Sequence, residues 1–204
     1  NVVANMFQIR NVVFCGMIRN WVLIGVSPME PLLYPSVIKI CLHLKNFVIN
    51  MEGCQYETSS DRCNRLYWQK LVAALSKDNQ VFALVREKSD RSQIKEYVKE
   101  FILYHDQNIY KDMERIQPDL VVHLAGVFYS VHSPENIKEL LEGNIVFGTV
   151  VLDAAVSCGC RNIINTASYW QNYGGEEYNP VNLYAATKQS MEDILRFYIH
   201  ARNC

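Results

Sequence analysis

The 204-residue chain is predicted to adopt an α/β fold in which helices cover both faces of a doubly wound parallel sheet. Two observations predict this class. Short continuous apolar runs, which are typical of strands buried on both faces, alternate with segments whose apolar residues recur at helical spacing. The connections between these segments are short, as they are in the strand–helix–strand units that build parallel sheets. A chain of this length can form one domain with a substantial core.

The alternation begins near residue 65. The segment RLYWQKLVAALSKDN has apolar residues at helical spacing and ends in a polar turn, so we predict a helix there. The apolar run VFALVR (81–86) predicts a buried strand. SQIKEYVKE then fits a short helix, and FILYH (101–105) fits a third strand.

The second half of the chain continues the same alternation. DLVVHLAG predicts another buried strand, and residues 134–157 have a long helical pattern. The triplet Ser133-Pro134-Glu135 favours a helix start, because serine suits the N-cap, proline the first position and an acid the first turn. RNIINTAS predicts the next strand, and a loop with glycines and a proline leads to a last helix.

Residues 1–60 form a poorly assigned N-terminal segment. It contains the apolar bursts NVVF (11–14), WVLIGV and FVIN (47–50) without a sustained period, and Pro31 and Pro35 lie between them. We therefore assign the predicted domain to residues 61–204.

Composition excludes several classes of function. A formal net charge of −1 gives no reason to expect a nucleic-acid partner. The apolar N-terminal stretch is interrupted by Arg10, Arg19, Glu30 and Lys39, so a membrane span is not expected. The seven cysteines are scattered without zinc spacing, which predicts reduced thiols in a cytoplasmic protein and no metal site.

The last predicted helix carries Tyr184 and Lys188, which are four residues apart and therefore share a face. A lysine ammonium beside a phenol favours the phenolate and lowers the pKa of the tyrosine towards the working pH. Such a tyrosine can exchange a proton with a substrate hydroxyl or carbonyl while a nicotinamide carries the hydride. Chance also produces this spacing on ordinary exposed helices, so the pair alone does not distinguish a catalytic site from such a helix.

Two predicted strand ends carry residues that suit a ligand, since ligands bind at the carboxyl ends of parallel strands. Arg86 closes VFALVR, where a cation can pair with a ribose 2′-phosphate; an ordinary solvated arginine is the alternative. HLAG ends in the small residues Ala125 and Gly126, which let backbone approach a flat or phosphorylated ligand. We expect His123 itself to be a packed strand-end histidine.

A third strand end is Asn165-Thr166-Ala167-Ser168. A hydroxyl there can hydrogen-bond the substrate oxygen whose proton Tyr184 handles, although the string also suits an ordinary turn. Asn144 lies within an apolar helix, where its amide must find a partner. We expect it either to brace the backbone of the site or to face a loop.

These segments together resemble the extended short-chain dehydrogenase/reductase family, the NAD(P)-dependent sugar-nucleotide epimerases and dehydratases. The similar pieces occur in the family's order: ALVR, PDLVVHLAG, GNIVFGTVVLDAAVSCG, NIINTASYW and YAATKQSMEDIL. INTASYW followed by NPVNLYAATK is most similar to the CDP-abequose-synthase-like reductases, which act on a CDP-4-keto-deoxyhexose. The resemblance implies a Rossmann-like fold, a nucleotide-sugar substrate and a homodimer paired through helices corresponding to 134–157 and 183–201. It implies NADP or NAD as cofactor, and Arg86 favours NADP.

The resemblance also implies roles for individual residues. Tyr184 matches the family's acid/base tyrosine, and Lys188 matches the lysine that lowers its pKa and holds the nicotinamide ribose. Thr166 matches the family's serine or threonine because it lies four residues before Trp170, where the family usually has a tyrosine; Ser168 is the fallback.

The implied cofactor-binding residues are those that follow the HLAG strand and those that match the N-x-x-G-T helix pattern. In this chain they are Leu124, Ala125, Gly126 and Asn144, together with Arg86 and Lys188.

The chain departs from the family where the glycine-rich loop G-x-x-G-x-x-G should precede LVAAL. The three glycine places hold Arg62, Arg65 and Trp68, and no glycine occurs between Gly53 and Gly126. Those glycines allow backbone to approach a pyrophosphate at a helix N-terminus. The first strand is also missing just before this loop, and FVIN and NVVF are the two candidates for it.

The chain stops soon after the Tyr184 helix, whereas the family continues into further strands and a small substrate domain. The sequence therefore predicts a Rossmann-like domain that is incomplete at both ends. Two hypotheses follow: an NAD(P)-dependent epimerase, dehydratase or reductase of nucleotide sugars, or a truncated or degenerate relative that at most binds a nucleotide or a partner subunit.

Overall fold

The computed structural model describes residues 5–9, 12–16, 21–25, 46–50, 69–105 and 107–202. The strands are β1 (Asn5–Ile9), β2 (Val12–Gly16), β3 (Trp21–Gly25), β4 (Asn46–Asn50), β5 (Gln80–Val85), β6 (Glu100–Leu103), β7 (Leu120–His123) and β8 (Ile163–Ala167). The helices are α1 (described over 69–75), α2 (Ile109–Ile116), α3 (Asn136–Ser157) and α4 (Leu183–Arg202).

Six strands form one parallel sheet in the order β3-β8-β7-β4-β5-β6, while β1 and β2 pair antiparallel in a separate two-stranded sheet. From β4 onwards, the strands occupy the places 1, 2, 3, 4 and 5 of the common doubly wound order 3-2-1-4-5-6. The sixth place, beside β8, is taken by β3 from the N-terminal part of the chain. The predicted α/β fold with a doubly wound parallel sheet is confirmed.

Strand β4 decides between the two candidates for the first strand. FVIN (47–50) belongs to β4, which lies between β5 and β7 at the centre of the sheet. NVVF contributes to β2, outside that sheet. The segment that follows β4 and holds Arg62, Arg65 and Trp68 lies outside the described residues.

Alternate residues of the sheet pack against helices on opposite faces. On β4, Val48 joins the core that includes Phe147 of α3 and Met191 of α4. Phe47 and Ile49 point the other way and pack in a second core with residues of α1, among them Val72 and Leu75. Because both faces are covered, the central strands read as continuous apolar runs rather than alternating ones.

Two of the sequence-based expectations are wrong in detail. The helix predicted to start at Pro134 begins at Asn136, and its N-cap residue is Glu135, which makes no side-chain capping hydrogen bond. The hydroxyl and the backbone N–H of Ser133 both donate to the Asn136 side-chain oxygen. SQIKEYVKE forms turns rather than a helix, with bonds such as Tyr97 N–H to the Ile94 carbonyl (3.0 Å). Helix α2, which the sequence did not single out, connects β6 to β7.

Helix α3 is long and apolar enough, by length and composition, to cross a bilayer. Of its most apolar window, 56% is buried within the fold, where α3 packs against α2 and α4. The core helix of a globular domain has the same character, so this property is weak support for a membrane span.

Candidate active site

The residues singled out from the sequence gather along one edge of the sheet. Because all six strands are parallel, their carboxyl ends meet at the same edge. Gly126 follows β7 there, Thr166 lies near the end of β8, and Arg86 follows β5. β5 is two strand positions from β7, about 10 Å. The candidate site therefore extends across several strand ends.

Helix α4 brings Tyr184 and Lys188 to this edge. Its first turn is capped by Asn182, whose side-chain oxygen accepts the Ala185 N–H (2.9 Å) and whose amide donates to the Ser130 carbonyl (3.1 Å). The cap therefore fixes the start of the helix and ties it to the loop after β7. Tyr184 lies in the first turn and Lys188 one turn later.

Aromatic rings surround the half-buried side chain of Tyr184. The Phe128 ring meets the Tyr184 ring edge-on, with centroids 4.9 Å apart, and also packs against Trp170 at 5.6 Å. Phe128 lies in the loop after β7, and Trp170 lies in the short helical turn after β8. The two loops thus form an aromatic wall beside the phenol.

The ammonium of Lys188 is buried, with only 4% of the residue exposed. Its Nζ donates to the Thr166 hydroxyl (3.3 Å), which in turn donates to the His123 carbonyl (3.4 Å). A Cβ built on Gly126 would lie 3.5 Å from this Nζ and 3.1 Å from the Asn144 Oδ1, so a larger residue would crowd the Asn144 amide beside the ammonium. The structure therefore brings together Lys188, Thr166 and Gly126.

The fallback residue Ser168 has a different environment. Its hydroxyl accepts the Trp170 N–H (3.3 Å) and caps the turn Tyr169–Gln171. The Lys188 bond goes to Thr166 rather than to Ser168. This contact favours Thr166 as the hydroxyl associated with the pair.

Asn144 braces backbone, the first of its two expected roles. Its Oδ1 accepts the Val127 N–H (2.6 Å), and its Nδ2 donates to the Val127 carbonyl (2.9 Å) and to the Thr187 hydroxyl (2.9 Å). Asn144 lies at the centre of a π-helical turn, Glu142–Val146, inside α3. Such turns commonly occur at functional sites. The brace fixes the backbone immediately after Gly126.

His123 is a packed histidine, as expected. Burial and the nearby Lys188 charge lower its pKa from 6.5 to about 3. A Cβ at Gly148 would lie 3.0 Å from the His123 Nε2 and 2.8 Å from the Met191 sulfur, so the glycine allows α3 to pack tightly here. The neutral imidazole is therefore part of the support beneath the site.

Arg86 is half-buried and lies against α3, with its guanidinium carbon 5.9 Å from the centroid of the Phe147 ring. Tyr104 meets the same ring edge-on at 4.4 Å. The arginine is therefore held by an aromatic partner near the end of β5 rather than extending freely into solvent. Within the described residues, no group of three or more metal-ligating side chains is present.

Sequence reasoning missed Gln171, a buried residue in the loop after β8. Its Oε1 accepts the Ser168 N–H (2.6 Å), and its Nε2 donates to Gln189 (3.1 Å) and Glu192 (2.7 Å) on α4. The loop is therefore held against the helix by one amide. No local pattern marks it, because both helix partners lie 18 and 21 residues away.

Comparison with known sequences identifies a family. Residues 69–204 match the sequence model described as the NAD dependent epimerase/dehydratase family. CDP-abequose synthase from Yersinia pseudotuberculosis is 26% identical over 101 residues, which cover 49% of this chain and 35% of that protein. A probable UDP-glucuronate 4-epimerase from Rhizobium meliloti (strain 1021) is 32% identical over 100 residues, which cover 43% of this chain and 28% of that protein.

Solved structures share the fold. UDP-glucose 4-epimerase from Brucella ovis, in complex with NAD, has a TM-score of 0.61 at 18% identity and matches 78% of this chain and 49% of that one. UDP-glucuronic acid 4-epimerase from Bacillus cereus, in complex with NAD, has a TM-score of 0.60 at 16% identity, over 78% of this chain and 53% of that one. The match thus spans about half of each solved enzyme and a smaller part of the curated relatives.

The pH dependence of stability tests the burial of Glu192, the partner of Gln171 on α4. Burial raises the pKa of Glu192 above 4.5, against the lowering effect of the Gln171 hydrogen bond. A raised folded-state pKa favours the protonated fold, so this contribution is complete below pH 4.5 and is lost as pH rises through the folded value. Glu192→Gln should therefore gain stability relative to the wild type as pH increases.

Urea unfolding of both proteins between about pH 4 and pH 8 measures this difference. Glu177→Gln, at an exposed carboxylate, is the control for charge removal. A constant difference between Glu192→Gln and the wild type across this range would contradict the buried environment of Glu192.

Proposed function

The chain belongs to the NAD dependent epimerase/dehydratase family. On this basis we propose that the protein is an NAD(P)-dependent epimerase, dehydratase or reductase of nucleotide sugars. In this proposal Tyr184 exchanges a proton with the sugar, Lys188 supports it, and Thr166 hydrogen-bonds the substrate oxygen. The site lies at the carboxyl edge of the sheet, where ligands bind in this class of fold.

One observation carries the proposal: the buried Lys188 ammonium lies one turn from a half-buried tyrosine and is hydrogen-bonded to Thr166. Burying an ammonium is costly, and such a charge persists only where polar or anionic groups compensate it. An ammonium close to a phenol stabilises the phenolate formed when the proton leaves. The arrangement therefore suits reversible proton transfer by the Tyr184 hydroxyl.

The residues after β7 suit the face of a dinucleotide. The Asn144 brace holds the backbone of Val127, which directly follows Leu124, Ala125 and Gly126, and a Cβ at Gly126 would crowd the Asn144 Oδ1 at 3.1 Å. A bound nicotinamide would supply or accept the hydride. The chain's own residues would orient it: the Gly126 segment by close backbone approach and Lys188 by a hydrogen bond to the ribose.

Two finer features are proposed with the family assignment. Arg86, held against Phe147 at the end of β5, would pair with a ribose 2′-phosphate and so favour NADP over NAD. A CDP-linked 4-keto sugar is the proposed substrate, supported by the similarity of INTASYW and NPVNLYAATK to the abequose-synthase-like reductases. Epimerisation is the competing reaction, supported by the similarity to a probable UDP-glucuronate 4-epimerase.

A second candidate function is a non-catalytic relative that binds only a nucleotide or a partner subunit. The observation in its favour is the sequence of residues 51–68, between β4 and the described part of α1, which contains one glycine, Gly53, where the family's phosphate-binding loop has three. Arg62 and Arg65 would supply charge there, but not the close backbone approach that glycines allow.

Substitution of the tyrosine separates these functions. Tyr184→Phe removes the proton donor while keeping the ring against Phe128, so turnover should fall about 10²- to 10⁴-fold. NADPH binding, measured by fluorescence titration, should change little. Tyr169→Phe, at a tyrosine that is 53% exposed in the neighbouring loop, is the matched control and should retain turnover.

Two results would contradict the proposal. Unchanged turnover in Tyr184→Phe would remove the assigned role of this tyrosine. Failure of the wild-type chain to bind NADPH at millimolar concentration would favour the non-catalytic relative.

Cofactor preference tests Arg86 separately. Arg86→Gln should weaken binding of NADP about tenfold relative to NAD, because a charge-assisted contact to the 2′-phosphate is lost. Arg115→Gln removes the same charge from a surface ion pair with Glu100, at the start of β6, and should leave the ratio unchanged. Isothermal titration with both cofactors gives the ratio, and equal effects of the two variants would exclude this role for Arg86.

A further inference from the structure

Thr187 lies between Tyr184 and Lys188 on α4, and only 1% of the residue is exposed. We propose that Thr187 is a positioning residue that locks the backbone of Tyr184 to the segment after β7. The catalytic importance of this lock rests on the proposed function, whereas the lock itself can be measured without any turnover.

The first half of the lock is the Asn144 amide. A side-chain amide has two N–H donors and one carbonyl acceptor. In Asn144 the acceptor receives the Val127 N–H, one donation goes to the Val127 carbonyl, and the other goes to the Thr187 hydroxyl (2.9 Å). Thr187 therefore accepts the one hydrogen bond of the Asn144 amide that does not involve Val127.

The second half is the proton of the Thr187 hydroxyl. A hydroxyl has one donor, and here it points to the Tyr184 carbonyl at 2.7 Å. Threonine in a helix often makes such a local bond to a preceding carbonyl, which by itself indicates nothing more than helix geometry. The simultaneous bond from Asn144, 43 residues away in sequence, turns the local bond into a link between two elements.

Steric fit holds the other end of this link. Gly143 precedes Asn144, and a Cβ built there would lie 2.5 Å from a methyl carbon of Val127. The π-helical turn and the Val127 segment are therefore in close contact, with little freedom to separate. Movement of the Tyr184 backbone would strain the hydrogen bonds of Thr187 and Asn144 in turn.

The consequence for the proposed site is geometric. Val127 adjoins Gly126, on the side proposed to face the cofactor, and Tyr184 supplies the proposed proton. Proton and hydride transfers to one sugar require the Tyr184 hydroxyl and the cofactor to be correctly placed relative to each other. A misplacement of about 1 Å can cost about 100-fold in rate. Thr187 connects the two positions through two hydrogen bonds.

The test compares Thr187→Val, which keeps the branched shape without the hydroxyl, with Thr187→Ser, which keeps the hydroxyl. In Thr187→Val, amide hydrogen exchange at Val127 should accelerate about tenfold, because the Asn144 amide loses one of its anchors. Exchange at Val151, a core residue of α3, the helix that carries Asn144, is the internal control. Thr187→Ser should exchange like the wild type at both amides.

Turnover gives the second readout. The turnover number of Thr187→Val should fall about 10- to 100-fold with little change in KM, and Thr187→Ser should recover most of it. Absence of turnover in the wild type would count against the proposed function alone, and the exchange data would then decide the role of Thr187.

Wild-type exchange at Val127 in Thr187→Val would overturn the proposal. So would a serine variant as impaired as the valine variant, since the hydroxyl would then not be the important group. If Thr187→Val fails to fold, Thr187→Ala removes the hydroxyl without adding an apolar group in its place. The same accelerated exchange at Val127 is expected in the alanine variant, and wild-type exchange there would equally overturn the proposal.

Discussion

The buried side-chain amide of Asn144 is the interaction on which the arrangement of the candidate site depends. It satisfies both backbone groups of Val127 and reaches the Thr187 hydroxyl on α4. Asn144 and Thr187 are each only 1% exposed, and leaving a buried polar group without a partner costs about 1–3 kcal/mol. These hydrogen bonds consequently fix three segments relative to one another: the loop after β7, the π-helical turn of α3 and the first turns of α4. Gly126, Tyr184 and Lys188 lie in these segments.

The general fold was predictable because strands that are buried on both faces have continuous apolar sequences. VFALVR and DLVVHLAG are continuous apolar runs, and each became a strand of the parallel sheet. FVIN could not be distinguished from NVVF, since both are short apolar bursts and only the pairing with distant strands places one at the sheet centre. The start of α3 was predicted too early because the N-cap residue is Glu135 rather than Ser133, and Glu135 makes no side-chain capping bond that the sequence pattern could indicate.

The candidate site was predictable where chemistry follows from local spacing. Tyr184 and Lys188 share a helix face because they are four residues apart, and the fold brings Lys188 to Thr166. Thr187 and Gln171 were not predictable, because their partners lie on other elements and no local pattern marks a buried amide or hydroxyl. For Asn144 the sequence predicted only that an amide within an apolar helix needs a hydrogen-bond partner. The fold identified Val127 and Thr187 as its partners.

The most direct test of this account is the affinity for NAD of Asn144→Leu, measured by isothermal titration calorimetry. Asn162→Leu is the matched control, since it removes an amide hydrogen bond to the Asp119 carbonyl (2.8 Å) at the opposite edge of the sheet. The wild type and Asn162→Leu should bind NAD alike. Asn144→Leu, confirmed as folded by circular dichroism, should bind at least about tenfold more weakly. Equal affinity of the two variants, or no binding by the wild type, would contradict the dependence of the site on Asn144.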